Sequence, residues 1–319
     1  MRRLLVVALT LVAAACGEST VACRVAADCA SGRCGADGRC LPPAADAGAD
    51  AAPPDGAGPA DAGAEGGAPT DGAAPADGAD GAPIVCSPNH DGVIERAEVP
   101  LAAGLHATFR VAAGVDVNTA GTAITGGRRW ELGGALTGDH AVLLELRPLT
   151  GLWFADTAAF AGATYVARMS DTNDLLGVFK ITPDALLMLG VASPASSLTE
   201  TLLAYDPPVT VLQFPLQVGA TWSTDSTVTG HAAGVYGLYY FERYASQVDT
   251  AGELVAPYGT FDVLRAATLM TRTMGLLVTT SRSFAFVSEC FGTVGTIRSD
   301  DNESAAEFTH AAEVWRMAP

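Results

Sequence analysis

Oxygen-bearing side chains crowd one twelve-residue stretch, Ser87-Pro88-Asn89-His90-Asp91-Gly92-Val93-Ile94-Glu95-Arg96-Ala97-Glu98. A hydroxyl, an amide and a carboxylate fall at alternate positions, Ser87, Asn89 and Asp91, and carboxylates follow at Glu95 and Glu98. Such donors suit a hard cation that wants six to eight oxygens at about 2.4 Å. Elsewhere the reactive residue types are scattered. The chain holds no Gly-x-Ser-x-Gly elbow, no Ser-x-x-Lys, no His-Glu-x-x-His, and no phosphate-cradling glycine loop. The five histidines (90, 106, 140, 231 and 310) share no common spacing, and acid pairs such as Asp300-Asp301 lie in loop-like stretches. No catalysis is expected from these patterns.

The Ser87–Glu98 stretch resembles the calcium loop of the EF-hand, and more closely the single-loop variant of exported bacterial proteins. On that resemblance Ser87, Asn89 and Asp91 take positions 1, 3 and 5. Gly92 makes the turn, Val93 offers its carbonyl, Glu95 sits at position 9, and Glu98 is the bidentate ligand. The chain departs from the pattern at Ser87, where the family has aspartate. Pro100 stops any outgoing helix after about one turn. Calcium is thus one reading, and a plain Asp-Gly turn before a short helix, with Glu98 solvated, is the other.

The elements that must position this loop begin with export. Met1-Arg2-Arg3 is a positive start, Leu4 to Val12 an apolar run, and Ala13-Ala14-Ala15 lead to Cys16. This is a secretory signal over residues 1–15. A cysteine after small residues resembles the lipobox of bacterial lipoproteins, although Ala13 stands where that family has leucine. The resemblance makes Cys16 the acylated first residue of the mature chain, with two or three chains for firm anchoring. Gly17 in place of aspartate implies sorting to the outer membrane. Six cysteines then remain, an even number for an oxidising compartment. Cys23, Cys29, Cys34 and Cys40 lie within residues 16–41 at gaps that disfavour zinc, and predict two small disulfides of open pairing. That run resembles a short Cys-rich module of myxobacterial-type lipoproteins. Cys86 and Cys290 are left to each other.

Residues 42–85 are mostly alanine, glycine, proline and aspartate, a composition that predicts a disordered linker. The formal charge of −17 divides unevenly: about −8 falls in the linker and about −11 on residues 86–319. This acidity disfavours nucleic acid as a partner.

Residues 86–319 hold the aromatic residues, in runs such as 107–111, 141–146, 177–181, 208–212, 238–248, 259–273 and 277–290. Alternation and turn residues predict a mainly β domain, an antiparallel β-sandwich or open half-barrel. Phe214 to Trp222 and Tyr258 to Arg265 resemble recurrent pieces of β modules in bacterial envelope proteins, a likeness of structure without a shared activity. Strand parity sets Tyr240 and Tyr244 opposite Tyr239 and Phe241, and places Cys290 on the face of Phe284 and Phe286.

The expectation is a lipid-anchored envelope protein, bound to the membrane through Cys16, whose β domain serves binding or structure. Its partner would be an envelope protein, a glycan or an apolar ligand. A half-barrel carrier of an apolar ligand or lipid, and a secreted hydrolase, are the alternatives.

Overall fold

Long stretches of β-branched and aromatic residues alternating with threonine and serine leave the chain little choice but extended pairing. The computed structural model describes residues 86–319. The expected signal, Cys16, the expected module with Cys23, Cys29, Cys34 and Cys40, and the expected linker lie outside the described residues.

The described chain opens with the two-residue β1 (Val93–Ile94), followed by the strand β2 (His106–Asp116). Twelve strands form one continuous path. In spatial order they are β5 (His140–Glu145), β2, β16 (His310–Ala318), β15 (Gly292–Arg298), β14 (Leu277–Ser288) and β13 (Gly259–Met274). The path continues through β12 (Val235–Ala256), β11 (Thr221–Ala232), β9 (Leu202–Gln213), β8 (Ala185–Ala192), β7 (Leu176–Ile181) and β6 (Tyr165–Arg168). Every neighbour along it is antiparallel. The two ends then meet: Arg147 and Val166 exchange backbone hydrogen bonds of 2.8 Å in both directions. The sheet is nearly closed, so the mainly β expectation holds and the curvature is that of a barrel.

Register shows which face is concave. Val248 opposes Ala266, Leu264 opposes Val287, Val228 opposes both Tyr205 and Tyr240, and Tyr165 opposes Phe179. All of these side chains belong to one buried cluster. Strands far apart along a sheet can share a core only on its inner side. The opposite face is covered elsewhere. Val166, Leu176 and Val178 pack under Phe154 and Phe160 from the β5–β6 connection. Phe284 and Phe286 join a cluster with Trp130, on a hairpin of β3 (Thr122–Ile124) and β4 (Gly127–Glu131).

That hairpin docks because β4 runs parallel to β12, with Gly252 facing Arg128. A side chain at Gly252 would collide with the Arg128 carbonyl, so the close approach of two backbones requires glycine there. Buried charge fixes the same region. Arg265, 3% exposed, makes two-pronged ion pairs with Asp249 and Glu307 and stacks over Phe284. Such pairs favour one arrangement because any other leaves the guanidinium unpaired.

Several predicted strands fall where expected, and others run further. The 208–212 run is the end of β9, which begins at Leu202 and passes through Pro207 and Pro208. Proline is tolerated because the β8 ladder skips from Ala204 to Val209, so those residues need donate nothing to it. Tyr240 is buried, whereas Tyr239 and Phe241 are exposed, as parity requires. The parity placement of Cys290 is corrected. β14 ends at Ser288, its register already shifted after Phe286, and Cys290 sits in the turn with φ of 66°.

Candidate metal centre

The loop of interest is held from both ends and from outside. Cys86 and Cys290 form a disulfide with their Cα atoms 5.3 Å apart. Beyond it the Cys290 N–H donates to the Glu98 carbonyl at 2.7 Å. Within the loop, β1 pairs with β10 (Leu216–Gln217), and Ile94 is buried in the inner core. The apolar residue that follows the turn therefore anchors the loop, while its polar residues stay outside.

The polar side chains then organise the backbone. Asn89 Oδ1 accepts the Asp91 N–H at 2.9 Å, and Asp91 Oδ1 accepts the Val93 N–H at 2.8 Å. Gly92 between them has φ of 82°, the left-handed value that its position demands. Glu98 closes the loop: Oε1 accepts from the Asn89 amide at 2.9 Å and Oε2 from the Glu95 N–H at 2.8 Å. Asn89 and Glu98, nine residues apart, are thus brought together. Ser87, Asp91 and Glu95 are exposed, and Val93 belongs to β1. Among the described residues, no three His, Cys, Asp or Glu side chains converge as a metal would require. The donor set is nevertheless all oxygen, the chemistry that calcium prefers, and Glu98 exchanges only hydrogen-bond donors if it turns to a cation.

Sequence reading missed Glu289. Its carboxylate accepts the N–H groups of Asn89 at 2.7 Å and His90 at 3.1 Å. The signal was adjacency: a cysteine bonded to Cys86 must bring its own neighbour beside Asn89. His90, with φ of 56°, turns its ring to Asp262 at 3.2 Å. Between the loop and the barrel lies a cleft of about 390 Å³, lined in part by His90, Gly126, Glu253, Asp262, Phe261 and Glu289. Glu253 is paired with Arg129 at 2.5 Å, which leaves Asp262 and Glu289 as the negative wall.

A second polar cluster lies on the inner face. Glu242, 1% exposed, accepts from Arg272 Nε at 2.7 Å and from the Tyr244 hydroxyl at 2.5 Å. Arg272 also lies over the Tyr240 ring at 5.5 Å. Burial first, and then the negative neighbours, push the phenols of Tyr205, Tyr240 and Tyr244 up from their ordinary value. They therefore stay neutral, Tyr244 donating to Glu242, whose charge is matched by Arg272.

The scattered histidines acquire partners without forming a catalytic set. His140 meets Asp171 at 2.8 Å, while the adjacent Ser170 hydroxyl donates to Glu313 at 3.0 Å rather than to the imidazole. His310 meets Asp116 at 2.8 Å, and that hydrogen bond raises its pKa.

No family model matches the chain, and no curated protein matches it. A crystal structure of a presumed lipoprotein from Parabacteroides distasonis is similar with a TM-score of 0.33 and 10% identity, over 68% of this chain and 96% of the other.

Proposed function

We propose that the chain is an exported, lipid-anchored envelope protein whose nearly closed β domain serves binding or structure and performs no catalysis. The observation that carries this reading is the Cys86–Cys290 bridge. It joins two cysteines that the even count in an oxidising compartment leaves for each other once Cys16 is acylated. The packed inner face favours this over a carrier of apolar ligands, because side chains from β6 to β14 already fill one another's space there. Ser170 donating to Glu313 rather than to His140 speaks against the hydrolase reading. Labelling with a radioactive fatty acid tests the anchor: wild-type chain takes the label, and Cys16→Ala does not and is released from membranes. An unlabelled wild-type chain would end the anchored reading.

The Ser87–Glu98 loop adds a calcium site of low affinity, in the range of roughly 10⁻⁴–10⁻³ M typical of extracellular modules. The oxygen-bearing residues and their spacing support it, with Asn89 and Glu98 brought side by side on a frame that Glu289 and the disulfide hold from outside. Calorimetry on the mature chain should show heat on adding calcium that Glu98→Gln removes. Identical flat titrations for both would end it.

A further inference from the structure

Large apolar side chains are exposed very unevenly over the described residues. Of fourteen, nine lie at one end of the barrel: Leu198, four on the β11–β12 hairpin and four on the β13–β14 hairpin. The most exposed are Leu276 and Leu198, both above 90%, followed by Tyr236, Leu277 and Tyr239. Register unites them. Phe241 opposes Thr273, which opposes Val278, and Tyr239 packs edge-on against Phe241 at 5.2 Å. Leu198 belongs to the β8–β9 loop, whose backbone lies beside the Gly234 turn. The surface is a set of protruding turns rather than a groove.

Carboxylates are absent from the two hairpins themselves. The domain carries about −11, yet no Asp or Glu occurs from Val263 to Ser288 or from Ser226 to Phe241. Three of the neighbouring carboxylates are engaged: Glu242 is buried on Arg272, Glu200 faces His231 at 3.5 Å, and Asp225 faces Arg243 at 3.4 Å. Exposed Asp300 and Asp301 flank the tip, where Asn302 and Thr280 exchange hydrogen bonds three residues from Leu277, and so bound the apolar surface on that side. Apolar turns with tyrosines behind them match the chemistry of a bilayer interface.

The chain beyond the described residues says which bilayer. Cys16 and Cys86 are 70 positions apart, a span of up to about 230 Å when extended. Cys86 is tied to the β14–β15 turn, the opposite end of β14 from Leu276. That strand is 12 residues long, or about 40 Å. At that limit a chain of 70 residues can reach past the length of the domain, and a weak lipid contact gains from being held close to its target.

The geometry points to a membrane-docking tip: the Leu276 and Tyr236 hairpins, with Leu198, seat in the interface of the bilayer to which Cys16 is attached. This rests on the anchored reading for its target, but the contact is intrinsic to the tip. The domain's net negative charge makes uncharged, zwitterionic lipid the preferred surface.

The test uses the mature chain with Cys16→Ser, which carries no acyl group, mixed with phosphatidylcholine vesicles and centrifuged. The bound fraction should rise with lipid, fall about tenfold or more in Leu276→Asp/Leu277→Asp, and fall at low salt when anionic lipid is added. Near-ultraviolet circular dichroism should be the same for both chains, since the substituted side chains are exposed. Docking is overturned if the chain fails to bind at millimolar lipid or binds equally well with both aspartates. It is also overturned if sedimentation shows the tip pairing with a second copy instead. Binding retained by a chain whose Cys16 proves unacylated would end the anchored reading and leave the docking tip standing.

Discussion

The Glu289 carboxylate receives the Asn89 N–H at 2.7 Å across 200 residues of chain. It takes the His90 N–H as well, so one buried side chain neutralises two donors of the loop that opens the domain. Hydrogen bonds to a charged acceptor are worth about 1.5–3 kcal/mol. Glu289→Ala should therefore speed hydrogen exchange at those two amides by about 10–100-fold, with little change at the Val166 amide in the barrel seam. Unchanged exchange at Asn89 would show that the clamp is not needed.

The disulfide closes a separation of 204 residues. Removing a native bridge costs about 2–5 kcal/mol, which for a domain of this size lowers Tm by about 5–15 °C. Cys86→Ser/Cys290→Ser should show that loss by calorimetry, and a reducing agent should lower wild-type Tm but not that of the variant.

Arg272 and Glu242 are unequal partners, one 42% exposed at its side chain and the other 0%. Removing the arginine strands a buried carboxylate and should cost about 3 kcal/mol, whereas the Glu242→Leu/Arg272→Met pair should recover most of that loss. Urea melts of the single and paired variants check both outcomes.

His310 has its pKa raised by the hydrogen bond to Asp116. A raised folded value means that the contribution is fully present below the unfolded value of about 6.5 and disappears as pH climbs through the folded one. Asp139 runs the other way. The Leu136 N–H and then the Arg316 guanidinium lower its pKa, so its contribution is lost only as pH falls through that lowered value. Nuclear magnetic resonance should find the His310 ring titrating above an ordinary histidine, and Asp116→Asn should bring it back.

Gly252→Ala should displace the β3–β4 hairpin, because the added carbon has no room beside Arg128. Overpacking of this kind costs about 1–3 kcal/mol. Trp130, fully buried and hydrogen-bonded to the Thr119 carbonyl at 2.8 Å, would become wet. A red shift of tryptophan emission in a chain that remains folded is the expected result, and no shift would mean that the hairpin tolerates the carbon.

Strand identity was legible where two residues of alternation sufficed. The opposed faces of Tyr240 and Tyr239 follow from parity alone, and the pairing of Cys86 with Cys290 follows from counting. Closure was not legible, because it depends on Arg147 meeting Val166 through two hydrogen bonds that carry no side-chain signature. Cys290 was misplaced for a related reason: a register shift after Phe286 resets parity, and nothing in the residue types announces it. In the candidate metal centre, Asn89 and Glu98 were found by spacing. Glu289 comes from the other end of the domain and has no spacing to reveal it. The buried charges Glu242 and Arg265 read as ordinary polar strand residues until their partners arrive from distant strands.

The position of the disulfide also decides how the molecule responds to force. A pull on the chain before Cys86 passes through sulfur into the β14–β15 turn and so into the interior of the sheet path. The loop from Ser87 to Glu98, and the two-residue ladder of β1 with β10, lie outside that route and feel no tension. Were the bridge cut, the same pull would peel β1 away first, unzipping the loop before any barrel strand yielded. Oxidation therefore makes the loop a slack branch, shielded from a pull on the chain that precedes Cys86.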